Sequence, residues 1–133
     1  MADPGRRFIL HVLPYALSVC RLRADEPVPL WARDAAGFVS CTRTDTELSI
    51  VCRAGAAPTD VRCETGWRAL QVRGTFPFSE VGVLLAVIRP LNDAGVSILA
   101  VSTFDTDYVL VKESALEPAI AALAAAGHRV ERS

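Results

Sequence analysis

A segment near the C-terminal end of the chain repeats an earlier one, and this repeat limits the possible folds more than any other feature. The sequence STFDTDYVLV, Ser102 to Val111, aligns without a gap with TRTDTELSIV, Thr42 to Val51, sixty residues earlier. Each segment has the pattern of a strand, a polar turn and a second strand, because an Asp-Thr pair separates two runs with strand character. A long period that occurs twice predicts two related units, since a solenoid needs several short repeats.

Composition excludes some classes of partner. The 133 residues allow one ordinary domain or two small ones that share a core. The net charge of −1 gives no electrostatic basis for binding a nucleic acid or an anionic membrane. The longest apolar segment, Val81 to Ile88, is too short to span a bilayer, and Pro14 interrupts the N-terminal apolar run before it reaches signal-peptide length. We therefore expect a cytoplasmic protein.

The cysteines follow no recognisable framework. The four are Cys20, Cys41, Cys52 and Cys63, and no pair has the CxxC spacing of a metal or redox motif. Three of them lie in or near strand-like patterns, so we expect reduced and mostly buried thiols. A disulfide or a zinc site is the alternative, and no metal ligand is predicted.

The N-terminal copy of the repeat has weak helical signals. The sequence predicts four strands, a short helix at 30–34 and a second short helix that starts at Pro58 and runs through Cys63. The predicted strands are 8–13, 15–23, 38–42 and 47–53. This copy therefore differs from the C-terminal copy in having an additional early strand and a smaller first helix.

The C-terminal copy reads β-α-β-β-α-β. Its strands are predicted at 67–73, 96–103, 107–112 and 128–132. Ser79 is predicted to cap a helix that runs to about Ala94 and is kinked or shortened by Pro90, and its apolar residues suggest burial by more than one partner. Ser114 and Glu117 form a predicted capping box for the second helix.

The predicted fold class is α+β, with two tandem ferredoxin-like units and antiparallel sheets. The first unit, residues 1–65, is the variant, and the second unit is residues 66–133. Strand 15–23 and the broad apolar face of the helix after Ser79 leave surface that one small chain does not cover, which predicts a homodimer.

The element order, together with the sequences FSEVGVL at 78–84 and VSILAVSTFDTDYVLV at 96–111, resembles the ACT domain family. The chain looks most similar to small bacterial proteins with two ACT-like domains, and to the ACT domains of the eukaryotic cytosolic arginine sensors. Those sensors have four such units, and a homodimer of this chain restores that number. The resemblance implies a non-enzymatic regulatory protein that binds a free amino acid at an ACT-domain interface, although the identity of the ligand does not carry over.

The resemblance also implies where the ligand lies, namely between the start of the first helix and the strand-turn-strand block. A helix N-terminus suits a carboxylate, and nearby acidic side chains suit an ammonium group. The candidate ligand-binding residues are Phe78, Ser79, Glu80, Val81, Gly82, Val83, Thr103, Phe104, Asp105 and Asp107. Each has a structural alternative, since Ser79 and Glu80 also suit a helix cap and Asp105 suits a turn.

Catalytic motifs are missing from the sequence. It contains no G-x-S-x-G, P-loop, H-E-x-x-H or Rossmann fingerprint, so we predict no catalytic residue and no cofactor. The alternative to a ligand-binding protein is a structural or protein-interaction module of the same fold. A third hypothesis, a small enzyme, requires a pocket that contains His11 or a cysteine with a partner base.

Overall fold

The computed structural model describes residues 6–132, which form two compact units. The minor unit is residues 15–67, and the major unit combines residues up to Pro14 with those from Arg68 onward. The predicted division at 65/66 follows the repeat, whereas the compact units do not. The difference arises because the first strand of the chain pairs with strands of the C-terminal half.

The major unit contains a five-stranded sheet in the order β6-β7-β5-β1-β8. Its strands are β1 (Ile9–Val12), the last part of β5 (Arg62–Val72), β6 (Ile98–Ser102), β7 (Asp107–Lys112) and β8 (Arg129–Arg132). With helices α2 (Val83–Asp93) and α3 (Leu116–Ala125), the order from β5 to β8 is the predicted β-α-β-β-α-β. Strand β1 is added between β5 and β8.

The sheet of the major unit is not wholly antiparallel, which corrects one detail of the predicted fold class. Strand β1 is antiparallel to β5, with Leu10 opposite Val72, but it is parallel to β8, with Ile9 opposite Arg129. The added strand therefore separates β5 from β8 and introduces one parallel pairing, while β5 and β8 still run in opposite directions.

The core of the major unit lies between the sheet and the two helices. Helix α2 contributes Val83, Val87 and Leu91, which recur every four residues and are buried, while Leu85 is exposed. Within one chain the helix therefore buries one stripe and leaves Leu85 exposed. The other buried members of this core are Phe8, Leu10, Val12, Leu70, Val72, Val109, Val111, Leu116, Ala119 and Leu123.

Both predicted helix caps in the major unit are wrong. The N-cap of α2 is Gly82, and Ser79 lies inside a turn in which the Glu80 N–H binds the Pro77 carbonyl at 2.9 Å. Helix α3 follows a 3-10 turn at Glu113–Ala115, and no side chain caps it. The Glu117 carboxylate instead accepts hydrogen bonds from the Arg132 guanidinium at 2.6 and 3.3 Å.

Pro90 lies within α2 and leaves one carbonyl of the helix without its usual donor, because proline has no N–H. That carbonyl belongs to Ala86, and Nε2 of the buried His128 lies 2.9 Å from it. Nδ1 of the same ring accepts the Phe8 N–H at 3.0 Å. Acceptance at Nδ1 assigns the ring proton to Nε2, so His128 donates to the carbonyl that Pro90 leaves free.

The minor unit contains an antiparallel sheet in the order β3-β4-β2-β5. Its strands are β2 (Leu17–Leu22), β3 (Ser40–Arg43), β4 (Leu48–Arg53) and the first part of β5, and its helix is the single turn α1 (Leu30–Arg33). The buried core residues are Cys20, Leu22, Ala32, Leu48, Ile50 and Cys52.

Two predictions for the minor unit are wrong. Strand β2 has neighbours on both sides, β4 and β5, and most of its residues are buried, so it does not leave the uncovered surface that the sequence predicts. The predicted helix from Pro58 to Cys63 is replaced by a turn at Pro58 and by strand β5, which begins at Arg62. Pairing with β2 explains this result, because the ladder satisfies the backbone groups of Arg62 and Cys63.

Cys20 and Cys63 form a disulfide, contrary to the prediction of reduced thiols. They lie directly opposite each other on β2 and β5, with a Cα–Cα distance of 4.1 Å, and a facing cross-strand pair brings the sulfur atoms into bonding range. Their separation of 43 residues concealed this pairing in the sequence. Cys41 is a free exposed thiol, and Cys52 is a free buried thiol whose pKa is raised by burial.

The two repeated hairpins are not superimposable residue by residue. In β3-β4 the turn is closed by the Thr44 N–H on the Glu47 carbonyl, whereas in β6-β7 it is closed by the Thr103 N–H on the Thr106 carbonyl. Since Thr44 aligns with Phe104, the turn is shifted by one residue between the two copies.

Within residues 6–132, no helix is long and apolar enough to cross a membrane.

Candidate functional site

A pocket of about 190 Å³ lies in the major unit between the segment that precedes α2 and the β6-β7 turn. The sequence folds in this way because Pro77 and the glycines at 74 and 82 keep the segment out of the helix, and the Asp-Thr turn reverses the chain. The lining residues are Phe76, Pro77, Phe78, Glu80, Val83, Ser102, Thr103, Phe104, Asp105, Thr106 and Asp107.

Backbone and hydroxyl groups fix the turn side of the pocket. The Phe76 N–H donates to the Asp105 carbonyl at 2.8 Å and so joins the two sides. The Thr106 hydroxyl donates to the Val72 carbonyl at 2.6 Å, and its side chain is buried. Because Val72 belongs to β5, this bond anchors the turn to the sheet.

Acidic groups dominate the charge of the pocket lining. Asp107 accepts a hydrogen bond from the Ser102 hydroxyl at 2.5 Å, which orients its carboxylate. Asp105 is exposed on the turn, and Glu80 forms an ion pair with Arg6, whose side chain is not part of the lining. The described lining thus carries three carboxylates and no basic side chain, an arrangement suited to a positively charged group.

Helix α2 supplies the opposite polarity. Its first intrahelical bond runs from the Ala86 N–H to the Gly82 carbonyl at 3.0 Å, so the amides of Val83, Leu84 and Leu85 have no acceptor within the helix. No side chain caps this end, and Val83 lines the pocket. A helix N-terminus of this kind favours a negatively charged group such as a carboxylate.

Two aromatic rings stand at the mouth of the pocket. Phe78 and Phe104 meet edge to face, with ring centroids 5.1 Å apart, yet their side chains are 77% and 79% exposed. Such exposure is unusual for phenylalanine, and it leaves apolar surface available to the apolar part of a ligand or to another molecule.

The structure brings most of the predicted site residues together. Of the ten candidates, Ser79, Val81 and Gly82 are not among the residues that line the pocket, and the other seven are. The candidates come from the two segments that line the pocket, but they do not include Phe76, Pro77, Ser102 and Thr106. Thr106 is not a candidate because Thr46 occupies the same position in the first repeat, and a repeated Asp-Thr pair is typical of a turn.

Neither a histidine nor a cysteine belongs to the described lining of this pocket, so it does not offer the constellation that the enzyme hypothesis requires. In the described part of the chain, no group of three or more His, Cys, Asp or Glu side chains is placed to hold a metal ion.

The fold is that of the ACT class, and the chain contains an ACT domain. A family model for the ACT domain matches residues 62–125, and a second model, for an N-terminal domain, matches residues 15–60. No curated protein matches the chain significantly. ACT domains are regulatory domains, so the chain is of a regulatory type.

The chain is also similar to several solved structures. Protein Atu0741 from Agobacterium tumefaciens is 45% identical to this chain, with a TM-score of 0.90 over 96% of this chain and 95% of its own. Protein VC0802 from Vibrio cholerae, described as a possible transport protein, is 14% identical, with a TM-score of 0.73 over 92% and 91% of the two chains.

The regulatory subunit of aspartate kinase from Thermus thermophilus, in its ligand-free form, is 12% identical to this chain, with a TM-score of 0.60 over 86% of this chain and 96% of its own. At such low identity the likeness of this subunit and of VC0802 shows the fold alone.

Proposed function

We propose that this chain is a non-enzymatic regulatory protein that binds a free α-amino acid in the pocket between α2 and the β6-β7 turn. One observation carries the proposal, namely that the pocket is lined both by Val83, the first residue of the uncapped helix α2, and by carboxylates. The open end of α2 suits the α-carboxylate, and the carboxylates of Asp105 and Asp107 suit the α-ammonium. A zwitterion satisfies both sides at once, whereas a singly charged ligand satisfies only one.

Different residues would contact different parts of the ligand. Asp107 is already oriented by Ser102, so its carboxylate needs little reorganisation to accept a hydrogen bond from the ammonium. Phe78 and Phe104 would cover the apolar part of the ligand side chain. A hydrogen bond to a charged group contributes about 1.5–3 kcal/mol, so loss of the Asp107 carboxylate should weaken binding at least tenfold.

The test is thermal unfolding of the whole chain with each of the twenty amino acids at millimolar concentration. At least one should raise the melting temperature, because a ligand that binds only the native state stabilises it. Asp107→Ala should abolish that rise. Glu47→Ala, the counterpart in the first repeat, lies in the minor unit and should leave it intact. A panel in which no amino acid raises the melting temperature contradicts the proposal.

The second candidate function is a structural or protein-interaction module of the same fold. The exposed apolar side chains Phe78, Val81, Leu85 and Phe104 favour it, because such residues in one part of a surface commonly contact another molecule. If Asp107→Ala leaves any thermal rise unchanged, the interaction role is the better account of this surface.

We also propose that the protein is a homodimer that works in the cytoplasm. The same four exposed side chains support the dimer, since a second copy can remove them from water. Light scattering at micromolar concentration should report twice the chain mass of 14.3 kDa. A stable monomer under those conditions contradicts this part of the proposal.

A further inference from the structure

The segment Thr75–Val81 forms one wall of the pocket and is bounded by two glycines in the left-handed conformation. Gly74 has φ 114° and Gly82 has φ 88°, values that other residues rarely adopt. Glycine at both ends lets the backbone change direction with little resistance, as hinge residues do. Most of the segment is exposed, including Phe78 and Val81.

Contacts at three points hold this segment in place. At its start, the Phe76 N–H donates to the Asp105 carbonyl at 2.8 Å. In its middle, the Phe78 ring meets the Phe104 ring across the mouth of the pocket. At its end, the Glu80 carboxylate is paired with Arg6.

Arg6 connects the end of the segment to the rest of the major unit. Its guanidinium pairs with Glu80, donates to the Val81 carbonyl at 3.3 Å and lies 4.9 Å from the centroid of the Phe8 ring. Phe8 is buried in the core and stacks on the buried His128, so it provides a fixed support. A planar, multiply donating guanidinium suits this bridging position better than an ammonium group would.

We propose that residues 75–81 are a lid over the pocket and that Arg6 is the positioning residue that latches it. The inference rests on the proposed function, because it gives that pocket a means of controlling access. Opening the lid separates Phe78 from Phe104 and Glu80 from Arg6 and unfolds the turn from Pro77 to Glu80, while the bond of Phe76 near the hinge is retained. Arg6 therefore acts on the ligand through the lid, without lining the pocket itself.

Hydrogen exchange of the unliganded full chain tests the latch without any ligand. The reporter is the Glu80 amide, which donates to the Pro77 carbonyl inside the lid. Arg6→Gln should accelerate its exchange about tenfold, since one charged hydrogen-bonded contact is lost. Arg7→Gln removes the same charge from the adjacent exposed residue and should leave the rate unchanged. Amides of β7 should exchange at the wild-type rate in both variants.

Two results overturn the latch. One is equal exchange of the Glu80 amide in Arg6→Gln and Arg7→Gln, and the other is equal acceleration of the lid and of β7, which indicates general destabilisation. If Arg6→Gln fails to fold, salt provides the second measurement. Raising KCl from 0.05 to 1 M should then accelerate exchange of the Glu80 amide in the wild-type chain by screening the ion pair, and a salt-independent rate refutes the latch.

The amino-acid panel separates failure of the lid from failure of the proposed function. If no amino acid raises the melting temperature of the wild-type chain, the proposed function fails, and the exchange rates still decide whether Arg6 holds the lid. If one amino acid does, its Kd should rise about tenfold in Arg6→Gln and not in Arg7→Gln. Equal Kd values in the two variants overturn the positioning role of Arg6.

Discussion

Replacing Thr106 by valine should remove one buried hydrogen bond and leave the shape of the side chain almost unchanged. The Thr106 hydroxyl lies 2.6 Å from the Val72 carbonyl, and the residue is 6% exposed. A net contribution of about 1 kcal/mol is lost with the bond, and the carbonyl left without this donor adds about 1 kcal/mol more. We therefore expect a loss of about 2 kcal/mol in the free energy of unfolding.

The repeat supplies the control for this experiment. Thr46 aligns with Thr106 but is exposed, and its hydroxyl lies 3.3 Å from that of Thr44. Thr46→Val should therefore change the unfolding free energy by less than about 0.5 kcal/mol. Urea unfolding followed by circular dichroism measures both variants, with an unchanged slope against urea indicating that only stability has changed. Equal losses in the two variants would refute the view that Thr106 alone anchors its turn.

Three further predictions concern other parts of the chain. His128→Ala should destabilise the protein by about 2–4 kcal/mol, measured by urea unfolding, because it leaves two backbone groups of the major unit without a partner. Reducing the Cys20–Cys63 disulfide should lower stability by about 4 kcal/mol through the entropy of a 43-residue loop, a loss that a Cys20→Ser/Cys63→Ser variant should reproduce without reductant. The guanidinium hydrogen bonds on Glu117 hold its pKa below its usual range. The stability that they add is therefore complete above the unfolded pKa of about 4.3 and is lost as pH falls through the lower folded value. Glu117→Gln should make the free energy of unfolding less dependent on pH between about pH 5 and pH 3, measured by urea unfolding at each pH.

Hydrophobic periodicity was enough to predict most of the elements. Strand β7 begins and ends at the predicted residues, Asp107 and Lys112, because apolar residues fill one continuous run between a polar turn and a charged end. The start of α2 was harder to predict. Ser79 has the chemistry of a cap, but the turn closed by Pro77 uses that position, and the helix starts only after Gly82.

Long-range pairing accounts for the features that sequence reasoning missed. Nothing in the local sequence shows that Cys20 faces Cys63, since only the register of β2 on β5 brings them together. Arg6 and Glu80 are 74 residues apart, and their ion pair depends on the position of the chain before β1. The seven candidate residues that line the pocket, in contrast, lie in two short segments that local sequence patterns identify.

The position of β1 in its sheet has a consequence for how the protein is made. This strand is synthesised first, but its partners follow much later, with Val72 opposite Leu10 and Arg129 opposite Ile9. The minor unit is one continuous segment, 15–67, so it can fold while the ribosome is still adding the rest of the chain. The major unit is complete only when β8 has been made, and until then the edge of β1 that pairs with β8 is open, so that a chaperone or a neighbouring nascent chain can capture it.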